Sequence, residues 1–162
     1  MADSKDFPRN YLRHLVATIA YRGTKTMREA PSAFATLRVS PTSRTPLEIL
    51  SHVGDTLAWA RTMVEGKQSW NSNDPGSWSS ESDRFHENLR RLDLALTAAP
   101  DLSDLTDRLV QGPLADMLTH IGQLAMLRRV AGSPVKGENY FRADVVAGRV
   151  GPEQQEPKRE FD

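Results

Sequence analysis

The chain has 162 residues, 38% of them hydrophobic, enough for one domain with a single substantial core. Lysine plus arginine and aspartate plus glutamate both number 21, so the net charge is zero and no basic excess points to a nucleic-acid surface. Cysteine is absent, which excludes disulfides and thiolate metal ligands. The opening MADSKDFPRN has no basic segment followed by an apolar one, and no apolar run is long enough for a bilayer, so a cytoplasmic protein without a membrane role is expected.

Residues 1 to 8 read as a loose arm. Leu12, Leu15, Val16 and Ile19 then recur at helical spacing and predict an amphipathic helix from Asn10 to about Arg28, closed by Pro31. Residues 31 to 45, with two prolines and several serines and threonines, form a long connection. Thr45-Pro46-Leu47-Glu48 is a helix start, with Thr45 as N-cap, proline at the first helical position and glutamate at the third. This second helix runs to about Glu65, where Gly66 stops it; Ile49, Leu50, Val53, Leu57, Ala60 and Val64 form its core stripe. Residues 66 to 79 form a loop, and its Trp70 and Trp78 are costly to leave in water, so it is expected to fold back over the helices.

A third helix from about Ser80 carries Phe85, Leu89, Leu92 and Leu96 on one face and ends near Pro100. Asp101 caps a short helix to about Val110, and Gly112-Pro113 breaks or offsets the chain before the fourth long helix, Leu114 to about Val130, which Gly132 ends. The tail from 133 to 162 reads as an irregular strap anchored around Asn139 to Asp144, with about the last ten residues frayed. No alternating run is long enough to build a sheet. Four long amphipathic helices predict an all-α four-helix bundle in one domain, its body at about residues 8 to 132.

Chemistry concentrates in the fourth helix. Its core stripe is Leu114, Met117, Leu118, Ile121, Leu124 and Ala125; Asp116, His120, Gln123 and Leu127 form a second stripe roughly 100° away on a helical wheel. Asp116 and His120 are four apart and so share a face. On the second helix, His52, Thr56, Trp59 and Met63 form a similar flank about 110° from the core centre. If the two flanks face each other, His52, Asp116 and His120 converge. Two imidazoles and one carboxylate suit a divalent zinc, nickel, iron or manganese ion with positions left open. An exposed aspartate beside a histidine that hydrogen-bonds elsewhere would leave the same spacing in the sequence.

His52 and the sequence His120-Ile121-Gly122-Gln123 also carry a family pattern. The chain resembles the DinB-like (DinB/YfiT) superfamily of metal-binding four-helix bundles, which has a histidine in the second helix and a late HxxxH ending in His-Arg-Gly-Gln. Ile121 replaces the arginine, and Asp116 stands where the first histidine of HxxxH is usual. The resemblance covers roughly residues 8 to 132. It implies His52, Asp116 and His120 as ligands, zinc or nickel as the favoured ion, and either hydrolase-like activity or thiol-dependent transfer or isomerisation. The partners it implies are a small-molecule substrate or an external low-molecular-weight thiol. Exchanging histidine for Asp116 trades a neutral donor for an anion and shifts the metal preference.

Other residues read more plainly. Trp59 and Met63 are packing residues that can also wall a pocket, and Gln123 is a ligand-supporting or surface residue. His14 is expected in solvent or at an interface, His86 at a satisfied core boundary, and Asp55 facing solvent on the far side of the second helix. Arg84, Arg90, Arg91, Arg128 and Arg129 are expected solvated or paired with nearby acids. No glycine-rich phosphate loop is present, and no serine–histidine–aspartate order can be singled out. The alternatives to an enzyme are a non-catalytic metal-binding or stress-associated protein, and a metal-free helical interaction module acting as a homodimer.

Overall fold

The apolar stripes fold into helices around one core in a computed structural model that describes residues 6–161. The elements are α1 (Asp6–Met27), α2 (Pro46–Val64), α3 (Trp78–Ala98), the short α4 (Thr106–Leu109) and α5 (Ala115–Val130), with a two-residue antiparallel pair, β1 (Gly137–Glu138) and β2 (Glu160–Phe161). The chain is all-α. Of its long helices, α1 and α2 each pack on both α3 and α5, so the order around the core is α1, α3, α2, α5. One apolar cluster joins them, including Leu12, Val16 and Ile19 from α1, Val53 and Leu57 from α2, Leu89 and Leu92 from α3, and Met117 and Ile121 from α5. Each fully buried leucine or phenylalanine in this cluster contributes about 1.5–3 kcal/mol, an upper bound set against an extended chain.

α1 begins at Asp6, earlier than the apolar periodicity predicts. Arg9 supplies the reason, bonding Asp6 at 2.8 Å and the Ala99 carbonyl at the end of α3 at 2.8 Å. The first five residues of the expected arm lie outside the described residues. Thr45 and Glu48 form the capping box expected of α2: Thr45 accepts from the Glu48 N–H at 3.2 Å and Glu48 accepts from the Thr45 N–H at 2.7 Å. Gly66, at φ +71°, takes the left-handed position that ends α2. The first connection is less loose than its composition suggests. Residues Ser32–Thr36 make a 3₁₀ turn that drives Phe34, 1% exposed, against Ile49 of α2 and Leu124 of α5, with Trp78 packed edge-on at 5.4 Å.

Asp55 is 4% exposed, not solvent-facing as expected. Its carboxylate accepts from Arg84 at 2.7 Å and from the side chain and backbone of Asn73 at 2.7 and 3.2 Å. Asp55 lies outside the apolar stripe, but the 66–77 loop and α3 cover that side of α2. Arg128 also departs from expectation, because it pairs with carbonyls rather than acids. It donates to Thr26 and Arg28 at the end of α1 and to Ser133, so a buried cation caps the negative end of a neighbouring helix.

The tail does not fray as predicted. β2 pairs with β1 in the register Gly137↔Phe161, and Lys25 reaches both Glu138 at 2.7 Å and Glu160 at 2.8 Å. Tyr21 donates to the other oxygen of Glu138 at 2.7 Å. These partners lie far apart in sequence, which is why a local reading of a polar tail missed them.

Candidate metal centre

His52 lies in the second turn of α2, Asp116 is the second residue of α5, and His120 follows one turn later. The approach to α5 is set by a wide turn of π type at Val110–Leu114, where Gly112 leaves helical geometry and Pro113 has no N–H to donate. Along the α2–α5 seam the structure brings His52, Asp116 and His120 together, with one ligand atom of each within 4.8 Å of the others. Asp116 Oδ2 stands 3.4 Å from His120 Nε2 and 3.7 Å from His52 Nε2. The two imidazoles meet edge to face, centroids 4.8 Å apart.

The donor set fits a divalent transition metal. Ligand atoms of a tetrahedral zinc site are separated by about 3.3 Å, so a widest separation of up to 4.8 Å needs to close by up to about 1.5 Å. Gln123 Oε1 lies 2.9 Å from His120 Nδ1, a contact that requires N–H at Nδ1 and leaves the lone pair of Nε2 facing Asp116. Burial pushes the His52 imidazole below its ordinary pKa; the charges of His120 and Arg44 act in the same direction, against Asp116 and Asp55. A neutral ring is the form that binds a metal.

Trp70 and Trp59 wall the seam. Trp70 lies 5.8 Å from His52 and 5.7 Å from Trp59, so the loop does fold back and supplies a side chain to the site. Trp78 does not take part; it packs on Phe34. A cavity of about 460 Å³ opens beside His52, Asp116 and the two tryptophans, with Gly112 and Pro113 as its floor. A second, of about 480 Å³, lies on the other side of His120, lined by Arg44, Ile49, Gln123 and Leu127. Thus Thr56 and Trp59 of the α2 flank border one cavity, and Gln123 and Leu127 of the α5 flank the other.

Two side chains at the site carry little signal in the sequence. Trp70 could be flagged as a loop tryptophan needing cover, but its contact with His52 depends on the loop's path. Arg44 sits one residue before the α2 cap, where only the folded first connection shows that it faces His120's cavity. The other histidines lie elsewhere. His86 is satisfied by Thr24 Oγ1 and the Ser82 carbonyl, both at 2.9 Å, and His14 is exposed on α1.

No protein-family model matches the chain, no curated protein matches it, and no solved structure matches its fold. The class defined by fold and site is therefore an all-α protein with a histidine–aspartate–histidine cluster able to hold a metal ion.

Proposed function

We propose that the chain is a metal-dependent enzyme of the DinB-like superfamily, a four-helix bundle that binds one divalent ion through His52, Asp116 and His120. The observation that carries this is the convergence of three ligand atoms within 4.8 Å from two helices, next to a cavity. Zinc or nickel is favoured, since two imidazoles and one carboxylate match their usual donors; iron and manganese accept the same set. Three protein ligands beside a cavity suit an ion with open positions, which would supply Lewis acidity to a substrate group.

The chain's own residues do the remaining work. Gln123 fixes the His120 tautomer, Asp116 brings the negative charge that balances the ion, and Trp59 and Trp70 shield one side from water. The reaction is hydrolase-like, or a thiol-dependent transfer or isomerisation whose co-substrate is an external low-molecular-weight thiol, with which a chain without cysteine is compatible.

Elemental analysis of protein purified without a metal-affinity tag tests this. About one ion per chain is expected, falling severalfold in His120→Ala. Metal far below that level and unchanged by the substitution would refute both the enzyme and a non-catalytic metal protein, leaving a metal-free helical module. Adding zinc at about a hundred times its dissociation constant should raise stability by roughly 2.7 kcal/mol, and not in His120→Ala.

A further inference from the structure

A third cavity lies outside the α2–α5 seam, between α1 and the start of the C-terminal strap. It measures about 370 Å³ and is lined by His14, Thr18, Tyr21 and Arg22 of α1 and by Tyr140 and Phe141 of the strap. The α1 residues stand at i, i+4, i+7 and i+8, so they share one helical face.

Arg22 is the anomaly. Every other half-buried or buried arginine donates hydrogen bonds: Arg9 and Arg61 to acids on their own helices, Arg13 and Arg84 across helices, Arg128 and Arg149 to carbonyls. Among the described residues, the Arg22 side chain has no hydrogen bond and no ion pair, and its Nε is buried without a partner. Its guanidinium instead sits over the Tyr140 ring, 4.0 Å from the centroid. Stacking on an aromatic face fixes the plane of the fork but satisfies none of its donors. The buried Nε goes unmet, while the Nη donors reach solvent and stay free for an incoming acceptor.

No acid lines the cavity. Glu138, which accepts from the Tyr21 hydroxyl, is already committed to Lys25, and Asp144 is paired with Lys158 at 3.4 Å. Thr18 donates its hydroxyl proton to the His14 carbonyl, so its oxygen is left as an acceptor. Besides the polar His14, the other walls are Tyr21, Tyr140, Ala143 and Val145, and Phe141 stands at the cavity with 94% of its surface in solvent.

We propose that this cavity binds a small planar carboxylate, with the Arg22 fork gripping the carboxylate and Phe141 covering the ring. One guanidinium matches one carboxylate in charge and in bidentate geometry, and Tyr140 orients that fork before the ligand arrives. The aromatic rim supplies the area for a flat apolar body.

The test uses the full chain, with benzoate as probe and acetate as the carboxylate without a ring. Calorimetry gives affinities, and the Arg22 Nε–Hε cross peak in a nitrogen–proton correlation spectrum locates the ligand. Benzoate is expected to move that cross peak. Arg22→Met should weaken it about tenfold or more, the loss of one charge-assisted pair. Phe141→Ala, at a position too exposed to affect folding, should weaken it about threefold at unchanged melting temperature. His120→Ala should leave benzoate binding unaltered, which separates this site from the metal centre. An unmoved Arg22 cross peak, or affinities unchanged in both variants, would overturn the proposal; acetate binding as tightly as benzoate would overturn its planar half.

Discussion

Asp55→Ala is the substitution whose cost follows most directly from the packing. The carboxylate is 4% exposed and receives three donors, one from Arg84 and two from Asn73. Removing one partner of a buried ion pair costs about 3–5 kcal/mol, but Arg84 retains Glu81 and the Ser51 carbonyl, each at 2.7 Å, and a quarter of its side chain is in water. A discounted figure of about 2 kcal/mol is appropriate for that part. Asn73 loses two bonds to a charged acceptor but can turn to water, adding about 1 kcal/mol. The total of roughly 3 kcal/mol corresponds to a melting point about 6–12 °C lower for a chain of this size. The same change unties the 66–77 loop that lays Trp70 on His52 and Trp59, so tryptophan fluorescence should become more accessible to a soluble quencher before global unfolding. Urea titrations of the parent, Asp55→Ala and Asp55→Asn provide the measurement, Asn keeping one acceptor and most of the loop contact. A cost below about 1 kcal/mol for Asp55→Ala, the range of a surface change, would refute the view that this residue ties loop, α2 and α3 together.

Two glycines give opposite outcomes for one chemical change. Gly122→Ala meets no atom within 4 Å and should stabilise α5 by up to about 1 kcal/mol, whereas Gly23→Ala would place its Cβ 2.5 Å from the Phe85 ring and should cost about 1 kcal/mol net. Paired thermal melts check this, and a Gly23→Ala variant that melts no lower than the parent would show that α1 and α3 are not in close contact at Gly23. Glu48 gives a pH test. Its carboxyl is held below the ordinary glutamate value of 4.5, first by the Thr45 N–H and then by Arg38. The contribution of the cap is therefore full above that value and fades as pH falls through the lower folded one. Stability measured against pH for the parent and Glu48→Gln should differ most at neutral pH and converge in the acid range as the carboxyl protonates; an offset unchanged from neutral pH down through the acid range would remove the ionised cap from the explanation.

Much of the fold is legible in single helices. The Thr45–Glu48 cap, the Gly66 stop and the core leucines of α3 are local patterns whose physics acts within a few residues. The two flanking stripes were also visible, since periodicity specifies angles on each helix. What a wheel cannot supply is the neighbour. Asp55 looked solvent-facing because its cover comes from Asn73 and Arg84, and the carbonyls that hold Arg128 belong to the far end of another helix. The same limit applies to the site. Spacing put Asp116 and His120 on one face, but their distance from His52, and the arrival of Trp70, depend on how α2, α5 and the loop dock.

The ionic knot of Lys25 with Glu138 and Glu160 imposes an order of events on folding. Its partners are separated by 113 and 135 residues, so α1 can coil early while the ammonium near its end stays in water. Docking that stretch of α1 dry, with Lys25 only 11% exposed, becomes favourable only when both glutamates have arrived. During synthesis α1 emerges before the other described helices, yet its last turns wait longest for their final packing. Refolding from denaturant should show this as a slow step sensitive to salt, because the closing contacts are charges brought together over most of the chain.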